Sequence, residues 1–523
     1  MARPDLSRTR CVEPTIDALL EAGCPEKAAE VARERAAGSL SDLGLALLAR
    51  GPLERAVETM QSAVNLCPAS QIAYHNLIAT LLRHRQLRAG NLDAMARFVG
   101  DHYHDFPWVR QYRPVLLAPR FVNVEFVNGQ CNLKCRMCLS SRDSASSGSL
   151  SYLSDEDFET MLTAVPTISA LTLSAGSSDP LLHPQLDRII DIAGRHNVAL
   201  DIYTNGHRLT ARLCRKMVES QSVQMINVSI DVVTPESYRR IRGADLKRVV
   251  TKIEMLQAMK TEEGVARPGL SLSSVAMADT IQDLPDLVRR ALQWGAFRVF
   301  VQELEGWEGY SGENRFATEN PRCFEYVREA QQIAAGADLE LVLPDSLRCP
   351  APVRPGSASG SGPITGESRG STSGPSRSAV SAVTALPSTL SDGADGPPSA
   401  QAPLCCSWLR GVWVSQDGRL HPCCMVTDVV DMGTIHDGPL LDNEKYLRVK
   451  GLLLEGRVFK ACLDIRNCQY VRQRRAAGKS LHVITRRELG DLQPDPAAGG
   501  QPHGPPGPTD GVPAPPAVPI TPS

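Results

Sequence analysis

The chain has 523 residues, 56 of them Lys or Arg and 58 Asp or Glu, for a formal net charge of −2. That length holds about two to four domains, and the balanced charge offers no global field for nucleic acid or an anionic membrane. No apolar run approaches the ~18 residues of a membrane span and the first ten residues lack an apolar signal core, so the fifteen cysteines are expected in a cytoplasmic protein, as metal ligands more than as disulfides.

Residues 14–100 read as helix throughout, because apolar residues recur at helical spacing and β-branched runs are few. Leu43, Gly44, Leu47, Gly51, Ala56, Met60, Ala63 and Pro68 fall on the spacing of a ~34-residue tetratricopeptide repeat. A second copy from Gln71 keeps Leu77 and Leu81 but breaks at Arg85 and Gly90, and a half-copy at Gly23, Ala28 and Ala32 is out of period. An ordinary helical bundle is the competing reading. A concave repeat surface suits a peptide or a partner protein.

Residues 118–345 change character. Strands are expected at Phe121–Val127, Ala170–Ser174, Ala199–Tyr203, Met225–Ile230, Leu270–Val275 and Arg298–Gln302. Helices are expected at Asp155–Val165, Gln185–His196, Ala211–Ser220, Pro235–Met259 and Leu284–Trp294. Six such βα repeats imply a parallel sheet, and right-handed crossovers curl it into a partial barrel. The fold class is therefore α/β, a partial (β/α)6 TIM-like barrel, preceded by an all-α helical-repeat domain and followed by a small Cys-rich domain.

Residues 350–403 are Ser, Gly, Pro, Ala and Thr, a composition that cannot build a core and reads as a disordered linker. Residues 404–475 are rich in cysteine, and residues 493–523 form a Pro/Gly-rich tail that reads as unstructured. Cys323 and Cys349 lie between barrel and Cys-rich region; buried thiols, a cluster ligand or a hydrogen-atom donor are the readings open to them.

The chemistry concentrates at Cys131, Cys135 and Cys138, spaced C-x3-C-x2-C just after the first strand. Structural zinc takes four closed ligands and electron-transfer clusters usually take four cysteines. A compact set of three points instead to a 4Fe–4S cluster with one open iron. After strand two comes Ser177-Ser178-Asp179-Pro180, after strand three Thr204-Asn205-Gly206, in strand four Ser229-Ile230-Asp231, then Tyr238-Arg-Arg-Ile241-Arg242-Gly243.

The cysteine spacing and these segments, in this order, resemble the radical S-adenosylmethionine (SAM) superfamily. The resemblance implies that the open iron chelates SAM. The reduced cluster then cleaves SAM to methionine and a 5′-deoxyadenosyl radical, which takes hydrogen from a substrate carbon. It places Ser177, Ser178 and Asp179 at the SAM amino group, where the family usually has Gly-Gly-Glu. It places Asn205 in the SAM pocket, and Ser229 and Arg242 near the carboxylate and ribose. It also implies an electron donor such as flavodoxin or ferredoxin.

In the C-terminal region Asp417-Gly418 reads as a hairpin turn that folds Cys405 or Cys406 back towards Cys423, with Cys462 and Cys468 further on. This pattern resembles the SPASM extension of radical SAM enzymes. It departs from it at Phe459 and Arg472, where further cysteines are expected. The resemblance implies one auxiliary 4Fe–4S cluster on Cys405 or Cys406, Cys423, Cys462 and Cys468, with zinc as the rival occupant.

The expected function is radical modification of a peptide or protein. Oxidation or epimerisation of a sugar or cyclitol, a small-molecule substrate, is the alternative. A non-catalytic iron–sulfur scaffold that binds a partner through the helical repeats is the rival from another class.

Overall fold

The computed structural model describes residues 22–84, 87–102, 107–129, 131–138, 150–174, 178–304, 316–348, 411–423, 429–464 and 481–492, together with residues 16, 19, 426, 468, 471 and 475. Four helices open it: α1 (Pro25–Arg50), α2 (Leu53–Leu66), α3 (Gln71–Arg83) and α4 (Ala89–His102). A Cβ on Gly44 of α1 would come 2.5 Å from Met60 Cγ of α2, so the small residue is what lets the two helices close up. Of the half-copy at Gly23, Ala28 and Ala32, Gly23 lies in the turn before α1 at φ 70°, and Ala28 and Ala32 lie within α1, which runs unbroken for 26 residues. Tyr74 of α3 stacks on Phe98 of α4 with ring centroids 4.2 Å apart. A short helix, α5 (Arg113–Leu117), leads into the barrel.

The barrel strands are β1 (Phe121–Glu125), β4 (Ala170–Ser174), β5 (Ala199–Thr204), β6 (Val223–Ser229), β7 (Gly269–Ala276) and β8 (Arg298–Glu303). They are neighbours in that order and all parallel. The first strand is shorter than its apolar run. It ends at Glu125, and β2 (Val127–Asn128) turns away to pair with β3 (Ser151–Tyr152). Between strands lie α6 (Asp155–Ala164), α7 (Leu186–Arg195), α8 (Ala211–Ser220), α9 (Pro235–Arg242), α10 (Leu246–Glu262) and α11 (Leu284–Gln293). Hydroxyl caps start several of them: Ser154 Oγ accepts from Asp157 N at 3.0 Å and Thr210 Oγ1 from Leu213 N at 3.2 Å.

The single helix expected over Pro235–Met259 is two. Gly243 ends α9 in the left-handed region at φ 68°, and Asp245 caps the start of α10. The sheet also extends past six strands. At one edge α12 (Cys323–Ala335) leads to β9 (Glu340–Val342), parallel to β8.

At the other edge β10 (Gly411–Val414) pairs in parallel with β1, and β11 (Leu420–His421) returns antiparallel to β10. The Asp417–Gly418 hairpin expected in the Cys-rich region is present, with Gly418 at φ 77°, but it belongs to the main nine-stranded sheet. Gly411 permits this. A Cβ there would sit 2.2 Å from the Phe121 ring. Behind the hairpin, α13 (Glu444–Leu454) is bolted down by two buried side chains. Lys450 Nζ donates to Gly411 O at 2.6 Å and Tyr446 OH to Leu117 O at 2.6 Å. Small elements follow: β12 (Arg457–Val458), α14 (Lys460–Asp464), β13 (His482–Val483) and α15 (Arg486–Leu489), β12 pairing with β13.

Strand alternation separates two faces. Val122, Val124, Leu171, Leu173, Leu200, Ile202, Leu272 and Val299 are buried on one. The other face carries Asn123, Thr172, Asp201, Tyr203, Asn227, Ser271 and Arg298, joined in register across the strands. Among the described residues no helix is long and apolar enough to cross a membrane.

Candidate functional site at the cysteine loop

Parallel strands of a barrel deliver their loops to one end, and the cysteine loop follows β2 at that end. Cys135 is buried and Cys131 and Cys138 are half-buried. The Cys138 N–H donates to Cys135 O at 3.1 Å, and the Arg136 N–H donates to Ile241 O at 2.8 Å, stitching the loop to the end of α9. Gly243 allows that approach, since a Cβ there would lie 3.3 Å from Lys134 O.

Two polar side chains reach the sulfurs. Arg242 Nη1 lies 3.7 Å from Cys135 Sγ, while its Nε donates to Asp231 Oδ2 at 2.6 Å. Asp231 is fully buried at its carboxylate and accepts from Val275 N at 2.8 Å through Oδ1. Asn205 Nδ2 lies 3.8 Å from Cys131 Sγ and donates to Asn132 Oδ1 at 2.9 Å. Burial pushes the Cys131 thiol up to about 12, and the nearby Cys135 and Cys138 add to it. Burial raises Cys135 as well, opposed by the Arg242 cation.

Asp179 organises the turn that carries Asn205. Its carboxylate accepts from Asn205 N at 2.7 Å, Leu181 N at 3.0 Å and Thr204 Oγ1 at 2.9 Å. Burial raises its pKa above the usual carboxylate value against the pull of these donors. Gly206 completes the turn at φ 76°, where a Cβ would meet Val249 at 2.8 Å. Ser229 Oγ lies 3.2 Å from Ser273 Oγ on the neighbouring strand. Ser178 is described and half-buried, whereas Ser177 lies outside the described residues.

A second ion-pair group grips the loop from outside. Arg136 Nη2 meets Asp279 Oδ1 at 2.8 Å, and Arg240 Nη1 meets Asp279 Oδ2 at 2.5 Å. The sequence reading had no place for Arg136, Asp279 or Asn132. Asn132 and Arg136 carry a signal as the sequence neighbours of Cys131 and Cys135, and Asp279 carries none.

Among the described residues no three His, Cys, Asp or Glu side chains converge on a single ion. Three thiols on one loop, two of them with N–H groups aimed at the sulfur, fit a cluster. The C-terminal set is less complete. Cys423, Cys462 and Cys468 are half-buried against the main core, while Cys405, Cys406 and Cys349 lie outside the described residues. Cys323 is buried at the start of α12.

The model of the radical SAM superfamily matches residues 127–289. The tungsten-containing aldehyde ferredoxin oxidoreductase cofactor-modifying protein of Pyrococcus furiosus is 25% identical over 181 residues, 34% of this chain and 50% of that protein. The mycofactocin maturase MftC of Mycobacterium ulcerans is 25% identical over 191 residues, 36% of this chain and 48% of that protein. The chain thus spans about half the length of these curated relatives. Among solved structures, Streptococcus suis SuiB bound to S-adenosylmethionine matches with TM-score 0.50 at 13% identity, over 82% of this chain and 87% of that one. That likeness is one of fold. The matched segment starts at β2 and takes in the cysteine loop, the Asn205 turn and the Asp231–Arg242 pair. Residues 127–289 thus match the radical SAM superfamily, whose domains bind a 4Fe–4S cluster and S-adenosylmethionine.

Proposed function

We propose that this chain is a radical SAM enzyme that modifies a peptide or protein substrate. The observation that carries the reading is the cysteine loop held against α9 and the Asn205 turn, with donors aimed at Cys131 and Cys135. Cys131, Cys135 and Cys138 hold the cluster. The chemistry supplied there is one-electron cleavage of SAM, which yields a 5′-deoxyadenosyl radical able to take hydrogen from carbon.

The chain's own residues position the reactants. Asp179 fixes the Thr204–Asn205 turn, so Asn205 is presented at a set distance from Cys131. Arg242 keeps a cation beside Cys135, and Asp231 keeps Arg242 in place. Ser178 and Ser229 present polar groups around the same mouth. His207, whose pKa is lowered by burial and by Lys252, Arg248 and Arg242, lies 3.1 Å from Tyr238 OH. The names of the relatives, a maturase and a cofactor-modifying protein, support a modifying role.

We propose a second cluster on Cys423, Cys462 and Cys468 with Cys405 or Cys406, and the N-terminal helices as a surface for a partner protein or the substrate. A ferredoxin or flavodoxin supplies the electron. The test is anaerobic reconstitution with iron counting, then dithionite and SAM. The reading predicts 5′-deoxyadenosine from the wild type and none from a Cys131/Cys135/Cys138→Ala variant. Two clusters predict about eight irons, falling to about four in that variant. Well-folded protein with no iron and no 5′-deoxyadenosine would overturn it.

A further inference from the structure

The inside of a closed (β/α) barrel is normally packed with branched apolar side chains. Here the corresponding face is polar. Asn123, Thr172 and Asp201 share one register row across β1, β4 and β5. Tyr203, Asn227, Ser271 and Arg298 share the next across β5 to β8. Buried polar groups of this number need partners, and several here have one. Arg298 Nε donates to Ser271 Oγ at 3.2 Å, its Nη2 lies 2.8 Å from Met225 Sδ, and Asn227 Nδ2 donates to Ser271 Oγ at 2.9 Å.

Three acceptors in this lumen have none. Asn227 is fully buried, and its Oδ1 has no hydrogen-bond partner. The buried Asn123 Oδ1 likewise has none. The Asp201 carboxylate, half-buried, makes neither a hydrogen bond nor an ion pair among the described residues. Arg298 is near enough to stabilise its charge but not to bond it, and desolvation wins, lifting the Asp201 pKa to about 6. Along β5, Asp201 is four residues below Asn205, or ~13 Å below the level of the cysteine loop at the rise of a parallel strand.

We propose that Asp201, with the Asn227 amide oxygen on the neighbouring strand one row higher on the same face, is the recognition site for a primary ammonium group on the substrate. An ammonium brings one positive charge and three N–H donors, which suits a carboxylate and a nearby amide oxygen that both lack partners. Because the site lies well below the loop, the ammonium is the anchored end, and the carbon that reacts is higher on the same substrate. A lysine side chain of a peptide and an amino sugar both carry this group. The inference rests on the reading that reaction takes place in the barrel lumen.

The test uses the full chain, with and without SAM, and ligand-detected NMR titration. The probes are Nα-acetyl-lysine amide and glucosamine, each against its uncharged counterpart, Nα-acetyl-norleucine amide and glucose. Lysine amide is expected to bind at least tenfold tighter than norleucine amide. Asp201→Asn removes that preference, Asn227→Ala reduces it, and Asp201→Glu, which keeps the charge, retains it. Preference for glucosamine over glucose, in place of the lysine pair, assigns the ammonium to an amino sugar.

No preference for either ammonium probe, or a preference unchanged in a folded Asp201→Asn variant, overturns the proposal. Should Asp201→Asn not fold, equal wild-type binding of charged and uncharged probes still overturns it. Formation of 5′-deoxyadenosine in the same preparations reports separately on the enzymatic reading.

Discussion

The guanidinium of Arg242 stands with Nη1 3.7 Å from the Cys135 sulfur and Nε 2.6 Å from Asp231 Oδ2. Both members of the ion pair are buried, with side-chain exposures of 10% and 0%. Removing one partner of a buried pair strands the other charge and costs about 3–5 kcal/mol. Arg242→Gln is therefore expected to lower unfolding stability by that order, measured by urea denaturation. Arg242→Lys keeps the charge but cannot bridge carboxylate and sulfur at once. It should fold, load iron and shift the cluster midpoint to a more negative potential in an EPR-monitored titration.

Gly243 is the hinge between α9 and α10 and the floor beneath Lys134. Gly243→Ala places a Cβ at φ 68°, a conformation that costs an L-residue about 1–2 kcal/mol, and pushes on the cysteine loop. Lower stability together with reduced iron retention on a desalting column is the expected outcome. A loss of stability with full iron retention would show that the loop adapts.

Asp179 takes four hydrogen bonds from three residues, Leu181, Thr204 and Asn205. Asp179→Ala orphans buried donors at ~1–3 kcal/mol each, so a combined loss of about 3 kcal/mol or more is expected. The Asn205 turn loses its brace, so SAM affinity should fall more than iron content. Equilibrium SAM binding and iron analysis on the same sample separate the two.

Asp201 gives stability a pH dependence of its own. Its carboxyl is raised from 3.8 to about 6 by burial, so between those values the folded chain holds a proton that the unfolded chain has released. The contribution is fully present below about 3.8 and is lost as pH rises through about 6. Asp201→Asn cannot titrate. Relative to wild type it should gain stability between pH 5 and pH 8, read as the difference in urea midpoints. A constant difference would mean that Asp201 titrates normally.

Tyr446 OH donates to Leu117 O at 2.6 Å, tying α13 to the helix before β1. Tyr446→Phe leaves that carbonyl unpaired and should cost about 1–2 kcal/mol while leaving the iron content of the cysteine loop unchanged.

The central strands were legible because apolar alternation and flanking turns mark them, and Ala170–Ser174 agrees to the residue. The break at Gly243 was not, since the apolar spacing continues through it and only the left-handed backbone interrupts the helix. β9 has three residues, too few to show a period. The partnership of β10 with β1 could not be read either, because pairing at long separation leaves no local trace. At the site, motif order located the cysteines, Asn205 and Arg242. Motifs are silent on what a side chain touches, so the Asp231–Arg242–Cys135 chain and the brace from Asp179 emerged only in three dimensions. The polar lumen was visible in principle as the alternate residues of strands already assigned. Their meaning depends on which face closes inward.

The strand that delivers the cysteine loop is flanked on one side by β4 and on the other by β10. During synthesis, β1 therefore emerges with one side bare and keeps it bare until residues beyond 410 have left the ribosome. An unpaired strand edge invites pairing with other chains, and a contact so distant in sequence forms slowly. Assembly of the metal-binding end and the arrival of the C-terminal hairpin are thus coupled events. A chain cut short before Gly411 would lose soluble yield before it lost any residue of the cysteine loop, the Asn205 turn or the Asp231–Arg242 pair.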